Sequence, residues 1–105
     1  MSDIGLQAVE AGMRFARARA AVLASDVANA HTPGFIPRDV EPALERVGTG
    51  MRFAAALKDV GAGGTGALEY SMGATAANSV TYRALADEER AMLREFRTVA
   101  EEARR

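Results

Sequence analysis

Small or apolar residues recur along the first part of the chain at Leu6, Val9, Met13, Ala16, Ala20, Leu23, Val27 and Ala30, with spacings that alternate three and four. An α-helix turns once every 3.6 residues, so this spacing gathers them into one seam and predicts helix over residues 4–30. Ser2 or Asp3 is placed to cap its start, and an acidic side chain there is favoured by the helix dipole by a few tenths to about 1 kcal/mol. Gly5 and Gly12 each weaken the helix by up to about 1 kcal/mol relative to Ala, and also let a neighbouring helix approach closely. Thr32 precedes a proline and is pushed out of the α region, while Pro33-Gly34 suits the centre of a type II turn, so the helix has to stop here. Asn29 lies close to that stop. Its amide can bond nearby backbone or tolerate a left-handed conformation; alternatively, with Thr32, it fastens the turn to a neighbouring subunit.

The second half of the chain repeats the theme less regularly. Tyr82, Leu85, Met92, Phe96, Val99 and Ala103 form a stripe at helical spacing that Leu93 and Ala100 widen, and the charged run at residues 87–90 faces water or pairs with arginines of the first helix. A helical region is predicted over residues 67–103, with Gly73 and Asn78-Ser79 delaying continuous helix to about Ala76. Between the two patterns, Pro37 and Pro42 break regular structure and residues 43–47 suit a short helical turn. Residues 51–60 have helix-forming composition but are too short to hold a helix without packing. Residues 61–66 are a Gly-rich flexible linker. The expected fold is all-α: two long amphipathic terminal helices packed as an antiparallel, coiled-coil-like pair, with an irregular or partly disordered middle. The segments fall at 1–35, 36–66 and 67–105.

Composition narrows what such a chain can do. Of its 105 residues 49% are hydrophobic but only 6% aromatic, and Ala supplies much of the apolar count, which suits close helix contact better than a deep core. A chain of this size buries only roughly 60–65% of its unfolded surface, so a partner or further copies of itself would supply missing burial. A net charge of −1 removes the global electrostatic case for nucleic acid, and the cluster Arg14, Arg17 and Arg19 reads as a solvated or salt-bridged helix face. With no cysteine, disulfides and thiolate metal sites are excluded, and His31, the single histidine, lacks co-ligands for a metal. No apolar run reaches the length of a membrane span, and the N-terminus lacks the basic start of a secretory signal. The glycines of the linker are not followed by the Lys-Ser/Thr of a phosphate loop.

One stretch carries more than pattern. Leu23-Ala24-Ser25-Asp26-Val27-Ala28-Asn29-Ala30-His31-Thr32-Pro33-Gly34-Phe35, followed by Arg38-Asp39, resembles the N-terminal signature of flagellar basal-body rod proteins, an Ala-Asn-x-x-Thr-Pro-Gly-aromatic core that closes the first helix. The residues matching that turn are Ala28, Asn29, Thr32, Pro33, Gly34 and Phe35. Asn78, Tyr82, Ala84 and Leu85 are similar to the same family's C-terminal Asn-x-apolar-x-Tyr-x-Ala-Leu pattern, and Leu68-Glu69 with Met72 sits where that family carries acidic and Met residues. The chain departs from the family pattern at Asp26, where Asn is usual, at Phe35, where Tyr is common, and in its charged segments at residues 87–89 and 101–105.

The resemblance implies a structural subunit of the rod, nearest to its proximal part, that leaves the cell uncleaved through the flagellar type III export apparatus and assembles in the periplasm. It implies partners of three kinds: further copies in a helical polymer, other rod proteins, and ring and export components of the basal body. No cofactor, metal, nucleic acid or small-molecule substrate is expected, nor catalysis, because convergent titratable groups are missing from the pattern. Leu6, Val9, Met13, Leu23 and Val27 would form one assembly seam and Leu85, Met92, Phe96 and Val99 the other. The competing expectation is a two-helix module or adaptor that takes a partner helix in its groove or assembles outside the rod.

Overall fold

The computed structural model describes residues 3–47, 50–60 and 65–105. Helix α1 (Asp3–Ala28) is followed by strands β1 (Arg38–Val47) and β2 (Gly50–Asp59) and by helix α2 (Thr65–Ala103). The fold is mostly helical, with a two-stranded sheet where an irregular middle was expected. The proposed cap at Ser2 and residues 61–64 of the expected linker lie outside the described residues, while the linker's last two residues, Thr65 and Gly66, are in the first turn of α2 and not flexible chain.

The helices pack antiparallel. Gly5 faces Met92, and Gly12 faces Leu85 so closely that an added Cβ would stand 3.1 Å from Leu85 Cδ1. Asn78 Nδ2 donates to the Ala16 carbonyl over 2.8 Å. Val9, Met13, Ala16 and Leu23 are buried from α1, with Ala74 from α2 and Val40 from β1. Val27 does not belong to the seam, being 40% exposed while Asp26 beside it is buried. Asp26 is inward there because the chain entering β1 packs on that side of α1, where its carboxylate accepts the Arg38 amide.

Helix α2 is also longer than its sequence implies. It runs unbroken from Thr65 through Gly73 and Asn78-Ser79, because Ser71, Ala74 and Asn78 lie on one buried face and packing overrides weak propensity. Gly73 meets nothing within 4 Å. Gly73→Ala therefore adds no clash and is expected to raise stability by about 0.5–1 kcal/mol, read as a higher urea midpoint at unchanged slope.

The residues expected to make a helical turn at 43–47 and a short helix at 51–60 are instead the two strands. They pair antiparallel from Arg38↔Asp59 to Val47↔Gly50. Ten residues cannot sustain an isolated helix, whereas two runs of ten give each other's backbone groups partners. Pro42 is tolerated because every strand of a two-stranded sheet has one unpaired edge.

The turn between α1 and β1 follows expectation. Phe35 N donates to the Thr32 carbonyl over 3.2 Å, and Gly34 has φ +77°, the left-handed value that the third position of a type II turn demands. The molecule is a plate of 65 × 33 × 14 Å with a radius of gyration of 18.0 Å, against about 13 Å for a compact chain of its length. Its accessible surface is 7409 Å². A compact monomer of 11.1 kDa would expose about 5,700 Å².

Candidate assembly site

Where α1, the hairpin and the start of α2 meet, a buried polar clasp joins them. Asp39, 1% exposed, accepts Arg19 Nε and Nη2, each at 2.9 Å, the Tyr70 hydroxyl at 2.6 Å and the Val40 amide at 2.7 Å. The fork of a guanidinium matches both carboxylate oxygens, so Arg19 fixes the direction of Asp39 as well as its charge. Burial alone would push the Asp39 carboxyl up. The bonds from Arg19, Tyr70 and Val40 outweigh it and hold the group at a pKa of about 2. Tyr70 is pushed up in turn by its bond to the Asp39 carboxylate.

Asp26 holds the other side of the junction. Both of its oxygens accept the Arg38 amide at 3.1 Å, which ties the end of α1 to the first residue of β1. Burial raises its pKa, the Arg38 amide partly offsets that, and the Asp39 charge adds to the rise. An acid whose pKa is raised in the folded state is least stabilising when ionised, so its contribution grows as pH falls toward that pKa. Asp26→Asn keeps an acceptor for the Arg38 amide and removes the buried charge. Its expected result is stability equal to or up to about 1 kcal/mol above the parent at pH 7, with the gain shrinking on acidification, as denaturant titrations at pH 7 and 5 would show.

Close to Asp26, the Ser71 hydroxyl is buried without a hydrogen-bond partner. Removing it by Ser71→Ala should stabilise the fold by about 1 kcal/mol, measurable as a rise in melting temperature.

The residues of the Thr-Pro-Gly turn fall into two groups. Asn29 Nδ2 donates to the Ser25 carbonyl over 2.9 Å, and the Thr32 hydroxyl donates to Asn29 Oδ1 over 3.3 Å, so the two cap the helix end locally. Asn29 does not adopt the left-handed conformation, since no described non-glycine residue has positive φ. Ala28, Thr32, Pro33 and Gly34 are exposed and Phe35 is half-buried. Of the C-terminal motif, Asn78 is buried on the Ala16 carbonyl, Tyr82 accepts Arg17 Nη1 at 3.3 Å, Leu85 packs on Gly12, and Ala84 faces outward. Glu69 and Met72 are exposed, as is His31.

The seam residues are not all used within the chain. Val9, Met13 and Leu23 are buried, while Leu6, Leu85, Met92 and Phe96 are half-buried. Leu93 is 45% and Val99 58% exposed. Continuing the Gly5–Met92 and Gly12–Leu85 spacing puts the first residue of α1 opposite residue 94, so residues 95–103 of α2 run on with no α1 beside them. That overhang is about 13 Å long. Within the charged run, Asp87 pairs with Arg90 at 2.7 Å on the helix surface, and Glu89 lines a cleft with Arg14 and Arg17.

Two apolar hollows lie away from the overhang. One, of about 470 Å³, is flanked by Val22, Phe35, Ile36 and Leu57, with Ser25 and Arg38 among its polar members. The other, of about 270 Å³, lies between the helices over Ala16, Ala20, Thr75, Ser79 and Tyr82. Among the described residues, no group of three or more His, Cys, Asp or Glu side chains could hold a metal ion, and no helix is long and apolar enough to cross a membrane.

Comparison with protein-family models, with curated proteins and with solved structures gives no match. The clasp was not legible in advance as a unit. In the sequence Arg19 reads as part of a solvated or salt-bridged face and Asp39 follows the turn motif, but no spacing rule marks Tyr70.

Proposed function

We propose that the chain is a structural subunit of the bacterial flagellar basal-body rod, nearest to its proximal part, which assembles through its terminal helices into a helical axial structure. The observation that carries this reading is the surface left over. A plate 14 Å thick with an apolar seam running past the end of its partner helix has unmet packing, and repeated copies meet it. The turn motif and the buried Asn78 support it, since both family-like patterns fall where they shape the helix pair. In this role the chain is exported uncleaved to the periplasm, with other rod proteins and ring and export components as neighbours, and no residue does covalent chemistry.

The hollow over Ala16, Ala20, Thr75 and Ser79 favours a second reading, a two-helix adaptor that seats a partner helix. Electron microscopy of the purified protein over a concentration series, with affinity isolation of basal bodies from cells carrying a tagged copy, separates the two. Filaments, or the tagged chain within isolated rods, support the rod subunit. A small complex of fixed stoichiometry, with no tagged chain in basal bodies, overturns it in favour of the adaptor.

A further inference from the structure

The overhang and the hollow beside the turn at residues 32–35 sit at opposite ends of α1. Val22 stands 17 residues beyond Gly5, about 26 Å along the helix axis, so the overhang of a copy cannot reach its own hollow. We propose that the overhang of α2 in one copy docks into the hollow flanked by Val22, Phe35, Ile36 and Leu57 in the next copy, head to tail. The proposal rests on the self-assembly reading above and names the contact through which it occurs.

Three observations select this occupant. The first is continuity: Phe96 and Val99 extend the same stripe of α2 that Leu85 and Met92 present to Gly12 and Gly5, so the uncovered part continues an apolar interface already made within the chain. At the receiving end Ile36 is 51% and Leu57 56% exposed, large side chains with apolar area left in water.

The second is charge. At 100° per residue the apolar arc of the overhang is bordered on one side by Glu95 and Glu102 and on the other by Arg97 and Arg104. Two overhangs paired antiparallel about a two-fold axis would bring their acidic borders together, which like charges oppose. The hollow instead offers the half-exposed guanidinium of Arg38, paired loosely with exposed Asp59 at 3.5 Å, while the Asp26 carboxylate that also lines it is buried. A Glu border meets a cation there, so the charges favour head to tail over head to head.

The third is area. The surface in excess of a compact monomer is on the order of 1,700 Å², spare area from which faces at the two ends of the plate can be drawn. A head-to-tail subunit has two such faces, one per end, and a contact that joins different patches of identical copies forms an open series unless its rotation closes.

Val99→Asp spoils the overhang and Leu57→Asp spoils the hollow, and both residues are exposed, so far-UV circular dichroism should match the parent. In analytical ultracentrifugation the parent's average mass should rise with concentration up to about 1 mM, while each variant alone stays monomeric. An equimolar mixture of the two should give a heterodimer and nothing larger, because one intact overhang meets one intact hollow. If Leu57→Asp loses helicity, Ile36→Asp tests the same hollow. A parent that remains monomeric throughout overturns the proposal, as does a mixture of folded variants that remains monomeric. A parent and variants that grow alike also overturn it, while leaving self-assembly through other surfaces standing.

Discussion

Asp39→Ala is expected to cost about 3 kcal/mol and to release the hairpin from the helices. The carboxylate is the common acceptor of Arg19, Tyr70 and the Val40 amide, so its loss leaves three donors without their shared partner, one of them charged. Removing one member of a buried ion pair costs about 3–5 kcal/mol because the survivor keeps its desolvation penalty; Arg19 is a quarter exposed and can turn to water, which favours the low end. Tyr70 links α2 directly to β1, so the effect should be local first. Hydrogen exchange should accelerate at Val40 and its strand neighbours before it does along α1 and α2.

The same carboxylate predicts an acid dependence. Its pKa is lowered from 3.8 to about 2 in the folded chain, so its stabilisation is in full force above about pH 4 and is lost as pH falls through 2. The difference amounts to about 2 kcal/mol. Stability measured between pH 5 and 2 should therefore fall more steeply in the parent than in Asp39→Ala, and equal slopes would show that Asp39 is not the group responsible.

Leu23→Ala should be of similar size, at about 2–4 kcal/mol. Leu23 is 0% exposed, and truncating a fully buried leucine removes its transfer energy and leaves a cavity that its surroundings fill incompletely. Leu23 is the one large apolar side chain that is fully buried among the described residues, so that is much of the available stability. Urea titration followed by far-UV circular dichroism should show the lowered midpoint. Leu23→Asp would go further and unfold the monomer, which makes it a probe of folding. Val99→Asp changes an exposed residue and reports on assembly alone.

What could be read from the sequence follows a physical division. Local rules found α1, the type II turn at Pro33-Gly34 and the stripe of α2, because each is written in contiguous spacing or in backbone chemistry that neighbours decide. They failed where distant parts decide. Val27 lost its inward place to Asp26 because β1 packs on the Asp26 side of α1, a contact made by Arg38, twelve residues on. Gly73 and Ser79 did not delay α2 because Ser71, Ala74 and Asn78 are buried. The strands were hidden by Ala, Leu, Glu and Lys, residues of helical preference, and the informative signal was the equal length of two runs on either side of Gly48-Thr49. Within the site, the pairing of Arg19 with Tyr70 through Asp39 joins residues about 50 positions apart, which no local spacing encodes.

The plate shape also governs how the chain responds to denaturant. An elongated chain that already exposes 7409 Å² has less surface left to release than a compact one of equal length, by roughly one-sixth. The sensitivity of unfolding free energy to urea scales with the area released, so its slope should fall below the value usual for 105 residues. A broad transition in this protein is thus a property of its geometry even when unfolding occurs in a single step, and only disagreement between independent probes would signal an intermediate.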